Sequence, residues 1–398
     1  MPRLSEVFVA NRRSAQQALD RFLPFAGREY ASGRNFVHPL GSCARVSGVS
    51  PWVRTRLLPE WELAERVLAH HGAVSAEKFI EEVCWRTYWK GWLQLRPAVW
   101  EQYVEELESV RQLWRNDSRY LSLLEGCSGI QCMDDWTLEL QQSGYLHNHV
   151  RMWYASIWIH TLKIPWVLGA DFFLQHLLDG DAACNTLSWR WVAGLHTAGK
   201  TYLARPDNIR HYTEGRVEVD LALAAEPMPV QAPPIPVAGG LPDLGVPPAR
   251  GSRVGLLLQE DDLSALQWLS SRQAPTAVAG YLPVATYAEF EITSAVIQFR
   301  LDCMRDALPG GAPLFEAVQA VVDWALSHRL ELVLMAEVPV GLWNEPMRTL
   351  SAALRAAGIR LAMQRSAWDA YFHPLAKAGF FRFKQGIPDG LKLLIAPP

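Results

Sequence analysis

Between Gly144 and Trp191 the chain gathers residue types that together suit one kind of ligand. Asp179-Gly180-Asp181 sets two carboxylates around a glycine, and Asn185 and Trp189 follow one and two helical turns later. Upstream, Asn148, Arg151 and Met152 stand at i, i+3 and i+4, so a helix presents them on one face. In EEVCWRTYWKGW, Glu82, Trp85, Arg86 and Trp89 share a helical stripe in the same way. Acids, an amide, an arginine and indoles converging like this suit a large, planar, hydrogen-bonding aromatic ligand with charged appendages. A plain helical core would not bury so many polar groups without partners for them. Singly, each motif has an ordinary reading: DGD as a turn, Glu82 and Arg86 as a surface ion pair, Met152 as core filler. Two indoles on the Glu82 stripe argue against a solvated face there.

Long helices are needed to hold these groups, and residues 1–216 carry the matching amphipathic periodicity with few strand-like alternations. Residues 217–252 are rich in proline, glycine and alanine and lack periodicity, which predicts a partly extended linker over the surface. From Arg253 the pattern changes. The short apolar runs RVGLLLQ, TAVAGYL, LELVLMAEV and IRLAMQ alternate with helix-like stretches at 292–307, 313–328 and 345–357. That alternation predicts a parallel sheet with crossover helices. EDDL follows VGLLLQ where a glycine-rich phosphate loop would stand, which argues against a dinucleotide site at that strand.

A chain of 398 residues has room for two cores. With 49% hydrophobic and 20% charged residues it reads as a soluble globular protein. No run approaches the ~18–20 apolar residues of a membrane span, and MPRLSEVFVANRRSAQQ lacks the apolar core of a signal peptide. Cys43, Cys84, Cys127, Cys132, Cys184 and Cys303 show no C-x-x-C pairing, so they are expected to be reduced thiols of a cytoplasmic protein, with no metal site. The net charge of −3 divides unevenly: residues 1–216 hold 24 Lys and Arg against 23 Asp and Glu, the remainder 14 against 18. Such a balance neither demands nor excludes nucleic acid, because a local basic rim decides that question.

The motifs HNxxRM, DGDxAxNxxxWxW and EVCWRTYW stand in the order and spacing of one family. Over about residues 20–216 the chain resembles the flavin-binding helical domain of the photolyase/cryptochrome family. The later segments VGLLLQEDDLSALQWL, WNEPMRTLSAAL and WDAYFHPLAKAGFFRFK resemble that family's α/β antenna domain, which normally comes first. The resemblance therefore implies a multidomain α and α/β protein in permuted order. An all-helical FAD-binding domain (1–216) and a linker (217–252) precede a Rossmann-like, antenna-like parallel-sheet α/β domain (253–398). An unrelated small α/β domain is the alternative for the second half.

Carried over residue by residue, the resemblance implies FAD held by Tyr30, the run Val46-Ser47-Gly48-Val49-Ser50, Arg86, Asn148, Arg151, Asp179, Gly180, Asp181 and Asn185. The pyrophosphate run departs from the family at Val46, Gly48 and Trp52, so one cation is lost unless Arg45 or Arg54 replaces it. Asn185 would face the flavin N5, the choice of photolyases rather than of plant-type cryptochromes. Glu82, Trp85, Asn148, Met152 and Trp191 would line the cavity for a flipped pyrimidine dimer. Burial beside Trp85 is expected to keep Glu82 protonated as a hydrogen-bond donor. Trp189, Trp166 and Trp114 would relay electrons, while His147 and His149 are expected to point off the Asn148 face and serve the fold. The implied activity is light-driven repair of cyclobutane pyrimidine dimers in damaged DNA. The alternatives are a cryptochrome-like photosensor with a protein partner, and a flavin protein that has lost its light function. A second antenna chromophore stays unidentified; Asn344-Glu345 is similar to a folate-contacting pair of the family.

Overall fold

A computed structural model describes residues 7–39, 45–197, 200–219, 222–244, 251–271 and 274–395. Cys43 lies outside them. The described residues between 7 and 216 fold into helices and their connections, with no strand, as the 3.6-residue periodicity predicts. Those that position the site are α1 (Glu60–Gln94), α2 (Ala98–Trp114), α3 (Asn148–Ser156), α4 (Trp166–His176) and α5 (Ala182–Val192). The first is two helices joined at Gly72, whose φ of 69° takes it out of helical geometry. The last begins on Asp181, whose carboxylate accepts from Cys184 N at 2.7 Å and so caps the helix that carries Asn185 and Trp189. Gly169 of α4 faces Trp189 and Trp158; a Cβ there would lie 2.3 Å from the Trp189 ring, so only glycine admits both indoles.

Within the described part of residues 217–252 no helix or strand forms. The segment is nevertheless tied down: Gly239 N donates to Leu95 O at 2.8 Å, Met228 N to His160 Nδ1 at 3.1 Å, and Met363 N to Leu244 O at 3.0 Å.

The C-terminal half contains a five-stranded, all-parallel sheet in the order β3-β2-β1-β4-β5. Its strands are β1 (Val254–Leu258), β2 (Ala277–Tyr281), β3 (Leu314–Phe315), β4 (Leu332–Ala336) and β5 (Arg360–Gln364). Four match the apolar runs in the sequence. The helix expected over 313–328 starts only at Val318, because Leu314 and Phe315 pair with Gly280 and Tyr281 as an edge strand too short to show period-two alternation. Crossovers include α6 (Ser294–Ala307) and α7 (Asn344–Ala356). After β5 the chain leaves the sheet. The helices over 367–372 and 387–394, the 3₁₀ turn over 373–377 and α8 (Phe380–Lys384) all pack on α1. Trp368 Nε1 donates to Thr87 Oγ1 at 2.9 Å and Tyr88 OH to Ala378 O at 3.0 Å, so the two halves share one interface of polar and aromatic contacts.

Candidate functional site

The helical half encloses a cavity of about 640 Å³ between α1, α3, α5 and the segment 46–53. Clefts of ~300–1,000 Å³ are the usual size for a cofactor or drug-sized ligand. The structure brings nearly every residue singled out from the sequence to this wall. Tyr30, Val46, Ser47, Gly48, Val49, Ser50, Arg86, Arg151, Asp179, Gly180 and Asn185 line it together with Glu82, Trp85, Asn148, Met152, Trp189 and Trp191.

Its electrostatic centre is the turn Asp179-Gly180-Asp181. Arg151 meets Asp179 in a bidentate pair, both N–H···O distances 3.0 Å, and its Nε donates to Leu146 O at 2.8 Å. Arg86 donates through Nη1 to Asp181 and through Nη2 to Asp179 O at 3.4 Å. Burial pushes the Asp179 carboxyl up, but Arg151 and then Arg86 outweigh it and hold the group below its ordinary range. Asp181 behaves likewise: burial is overcome by Arg86 and Lys90. Both groups are therefore carboxylates, and Asp181 stands just behind the wall because its side chain is spent on Arg86 and the helix cap.

Asn185 donates Nδ2 to Ala170 O at 2.6 Å, which fixes the amide plane and leaves its carbonyl oxygen and second N–H for a ligand. Tyr30 sits edge-on to Phe79, ring centroids 5.2 Å apart, and burial raises its phenol pKa, so it stays neutral.

Several expectations need correction. Glu82 is not buried: its side chain is 30% exposed and ion-paired to Lys78 (2.8 Å) and Arg34 (3.4 Å), so two cations face it in place of an apolar wall. His147 and His149 do not point away; both line the cavity. His147 caps α3 by accepting from His149 N at 3.1 Å, and its Nε2 is buried with no partner. Burial, then His149 and Arg151, lower its pKa to about 4, so it is a neutral imidazole. His149 bonds Asn35 O through Nδ1 at 3.0 Å and stacks on Trp153. Neither Arg45 nor Arg54 supplies the missing cation. Arg45 lies over the Phe36 ring and reaches Glu214 at 3.8 Å, while Arg54 turns away to Glu260 and Asp261. Arg34 does line the wall. It stands four residues after Tyr30, a same-face spacing that the sequence offered and that went unused.

The relay residues are only partly joined. Trp189 meets Trp158 at 5.9 Å between centroids and Phe173 at 5.0 Å. Trp158 in turn meets Tyr120 at 6.1 Å. Trp166 is buried against Tyr103 (5.7 Å) and beneath Arg190, and half-buried Trp114 lies under Arg119. The indole next to Trp189 is thus Trp158, which the sequence reading did not pick. Asn344 accepts from Gly341 N at 3.1 Å and Glu345 pairs with Arg348 at the surface, so both do local work.

The family model for the FAD binding domain of DNA photolyase matches residues 79–214, the span that carries the cavity residues of α3 and α5 and those of α1 from Phe79 onward. Over that span the chain is similar to the photolyase/cryptochrome family. It is 31% identical over 200 residues to a deoxyribodipyrimidine photo-lyase of Streptomyces griseus, covering 47% of this chain and 43% of that protein. It is 27% identical over 208 residues to the one of Vibrio cholerae, covering 50% and 43%. The chain therefore spans less than half the length of these relatives. Among solved structures it is similar to a bacterial class III photolyase from Agrobacterium tumefaciens (TM-score 0.43, 25% identity, 52% of this chain and 46% of that one). A Synechocystis cryptochrome gives a TM-score of 0.39 at 20% identity, over 51% and 43%.

FAD fits the donor set. The Asp179 carboxylate, the Arg86 and Arg151 guanidinium groups, the oriented Asn185 amide and His147, whose Nε2 is buried with no partner, line a space of the right size. Among the described residues no helix is long and apolar enough to cross a membrane.

Proposed function

We propose that this chain repairs cyclobutane pyrimidine dimers in DNA by light-driven electron transfer from FAD. The observation that carries the reading is convergence: Glu82, Trp85, Asn148, Met152 and Trp191 share one cavity with Asn185 and the Arg151–Asp179 pair. Bound in its reduced form, FAD supplies a photoexcited electron donor beside the dimer.

Everything else is work for the chain's own side chains. Tyr30 and the backbone of 46–50 hold the diphosphate end, while Asp179 and Arg86 orient the ring end and Asn185 presents a neutral amide. A flipped dimer enters from the Trp85 and Trp191 side, with Asn148 bonding a base edge and Met152 packing on it. Charge that develops on the dimer meets the Glu82–Arg34 pair on the cavity wall, whose cation stabilises it better than a lone buried carboxyl would. Residues 253–398 are the family's antenna-type domain in permuted order, joined through 217–252.

One observation favours the second reading, a photosensor signalling through a protein partner. Trp85 already lies on Phe380 and Trp191 on Tyr202, so both indoles have aromatic partners before any base arrives. An oligonucleotide carrying one thymine dimer separates the two. Under blue light the prereduced protein restores the dimer to thymines, and in the dark it does not. Intact dimers after illumination would hand the cavity to the photosensor reading.

A further inference from the structure

The crevice at the carboxyl ends of β1 and β4, where the strand order reverses, is the place where open α/β sheets take their ligands. In this chain the helical half fills it. Gln259, Glu260, Asp261 and Asp262 leave β1 fully buried and meet Arg54, Arg56 and Lys90 across the interface. After β4, Glu337 accepts from Gln94 Nε2 at 3.0 Å and Val340 N donates to Gln94 Oε1 at 2.9 Å.

Two arginines at this interface reach the turn that carries the cavity's carboxylates. Gly180 O accepts from Arg54 Nε at 3.1 Å and from Arg300 Nη2 at 3.1 Å, so both of its lone pairs are used. Arg300 comes from α6, and Glu260 holds both guanidinium groups, at 3.1 Å to Arg54 and 3.3 Å to Arg300, with Tyr287 OH also donating to it. Independently, Gly341 lies against the first residue of α5: a Cβ on it would stand 2.4 Å from Ala182 Cβ, and its φ of 147° suits only glycine.

We infer that the C-terminal α/β half is a working part of the cofactor site: Glu260 and Arg300 are positioning residues that hold the Gly180 peptide, and through it the Asp179 and Asp181 carboxylates, at the geometry FAD needs. This rests on the reading of the cavity as the flavin site. Asp179 and Asp181 are held on the cavity side by Arg151 and Arg86, which themselves line the cavity and so also face its ligand. The carbonyl between the two acids is gripped from behind, by a pair of cations that one buried glutamate orients. A half whose sheet could have held its own ligand at the switch point thus has that crevice taken up in bracing the flavin turn.

The test is the dissociation constant of full-length protein for FAD, by flavin fluorescence, beside the unfolding temperature of the FAD-free form. Arg300→Gln leaves Arg54 to neutralise Glu260 and removes one charged donor from Gly180. FAD should bind roughly tenfold to a hundredfold more weakly, the loss expected for one charged hydrogen bond. The bound flavin's absorption fine structure should shift as well. Arg300→Lys, which keeps the charge opposite Glu260, should recover part of the affinity, and it carries the measurement if Arg300→Gln does not fold. A lowered unfolding temperature with an unchanged dissociation constant in these variants would overturn the inference and leave Arg300 a fold-only residue. A wild type that takes up no FAD would instead defeat the flavin reading itself.

Discussion

Trp85 lies flat against Phe380, with ring centroids 3.7 Å apart and planes inclined by 9°. Phe380 belongs to α8, far along the chain, so the C-terminal half backs an indole of the cavity wall. One face of Trp85 is spent on this stack, and the indole still lines the cavity. Stacking a flipped base on an indole is worth ~1–3 kcal/mol, so Trp85→Ala should weaken binding of dimer-containing DNA by about tenfold to a hundredfold while FAD content stays unchanged. Phe380→Leu keeps an apolar backing without the flat ring and should cost less. Unaltered lesion affinity in Trp85→Ala, measured by fluorescence anisotropy, would make Trp85 a core residue only.

Glu82 sits between Lys78 and Arg34 at the cavity wall. Glu82→Ala removes the carboxylate that holds Arg34 in place at the wall, so it should lower the repair yield per photon and spare the flavin. Arg34→Gln should weaken DNA binding and flatten its dependence on salt, because one fewer phosphate or dimer charge is met. Equal salt slopes for wild type and Arg34→Gln would place Arg34 outside the DNA path.

His147 offers a test by pH. Its pKa falls from 6.5 to about 4 on folding because burial, then His149 and Arg151, disfavour the charged ring. A depressed folded value contributes stability that is fully present above the unfolded value and is lost as pH falls through the folded one. Wild-type unfolding temperature should therefore drop more steeply between pH 6.5 and 4 than that of His147→Asn, which keeps a capping side chain. Parallel curves would mean that His147 titrates as a solvated histidine.

Trp158, packed between Trp189 and Tyr120, offers a second route for the proposed photoreduction of FAD. Trp189→Phe should slow blue-light reduction of oxidised FAD severely and leave repair by prereduced protein largely intact. If the contact with Trp158 carries the electron, Trp158→Phe should slow reduction as well. Should Trp166→Phe alone do so, the route runs through α4 toward Trp114 instead.

Much of this site was legible in the sequence because helical spacing is a local property. The i, i+3, i+4 sets at 82–89 and 148–152, and the DGD turn with its following helix, needed no long-range information to be placed on one wall. What escaped is what depends on contacts between distant segments. Phe380 is 295 positions from Trp85, and the EDDL run after β1 was legible only as a missing phosphate loop, whereas its acids grip Arg54 and Arg56 some 206 positions away. Exposure of Glu82 was misjudged for the same reason: Lys78 lies on its own helix, but Arg34 arrives from another. The two-residue strand β3 is too short for any pattern to mark it.

The most direct measurement of the central claim is the fluorescence lifetime of reduced FAD in the intact protein, with and without an oligonucleotide bearing a single thymine dimer. If flavin and dimer share the cavity, electron transfer to the dimer competes with emission. The lifetime should then shorten several-fold with damaged DNA and stay unchanged with the undamaged strand. A lifetime that responds equally to both strands, or to neither, would contradict the assignment of this cavity to dimer repair.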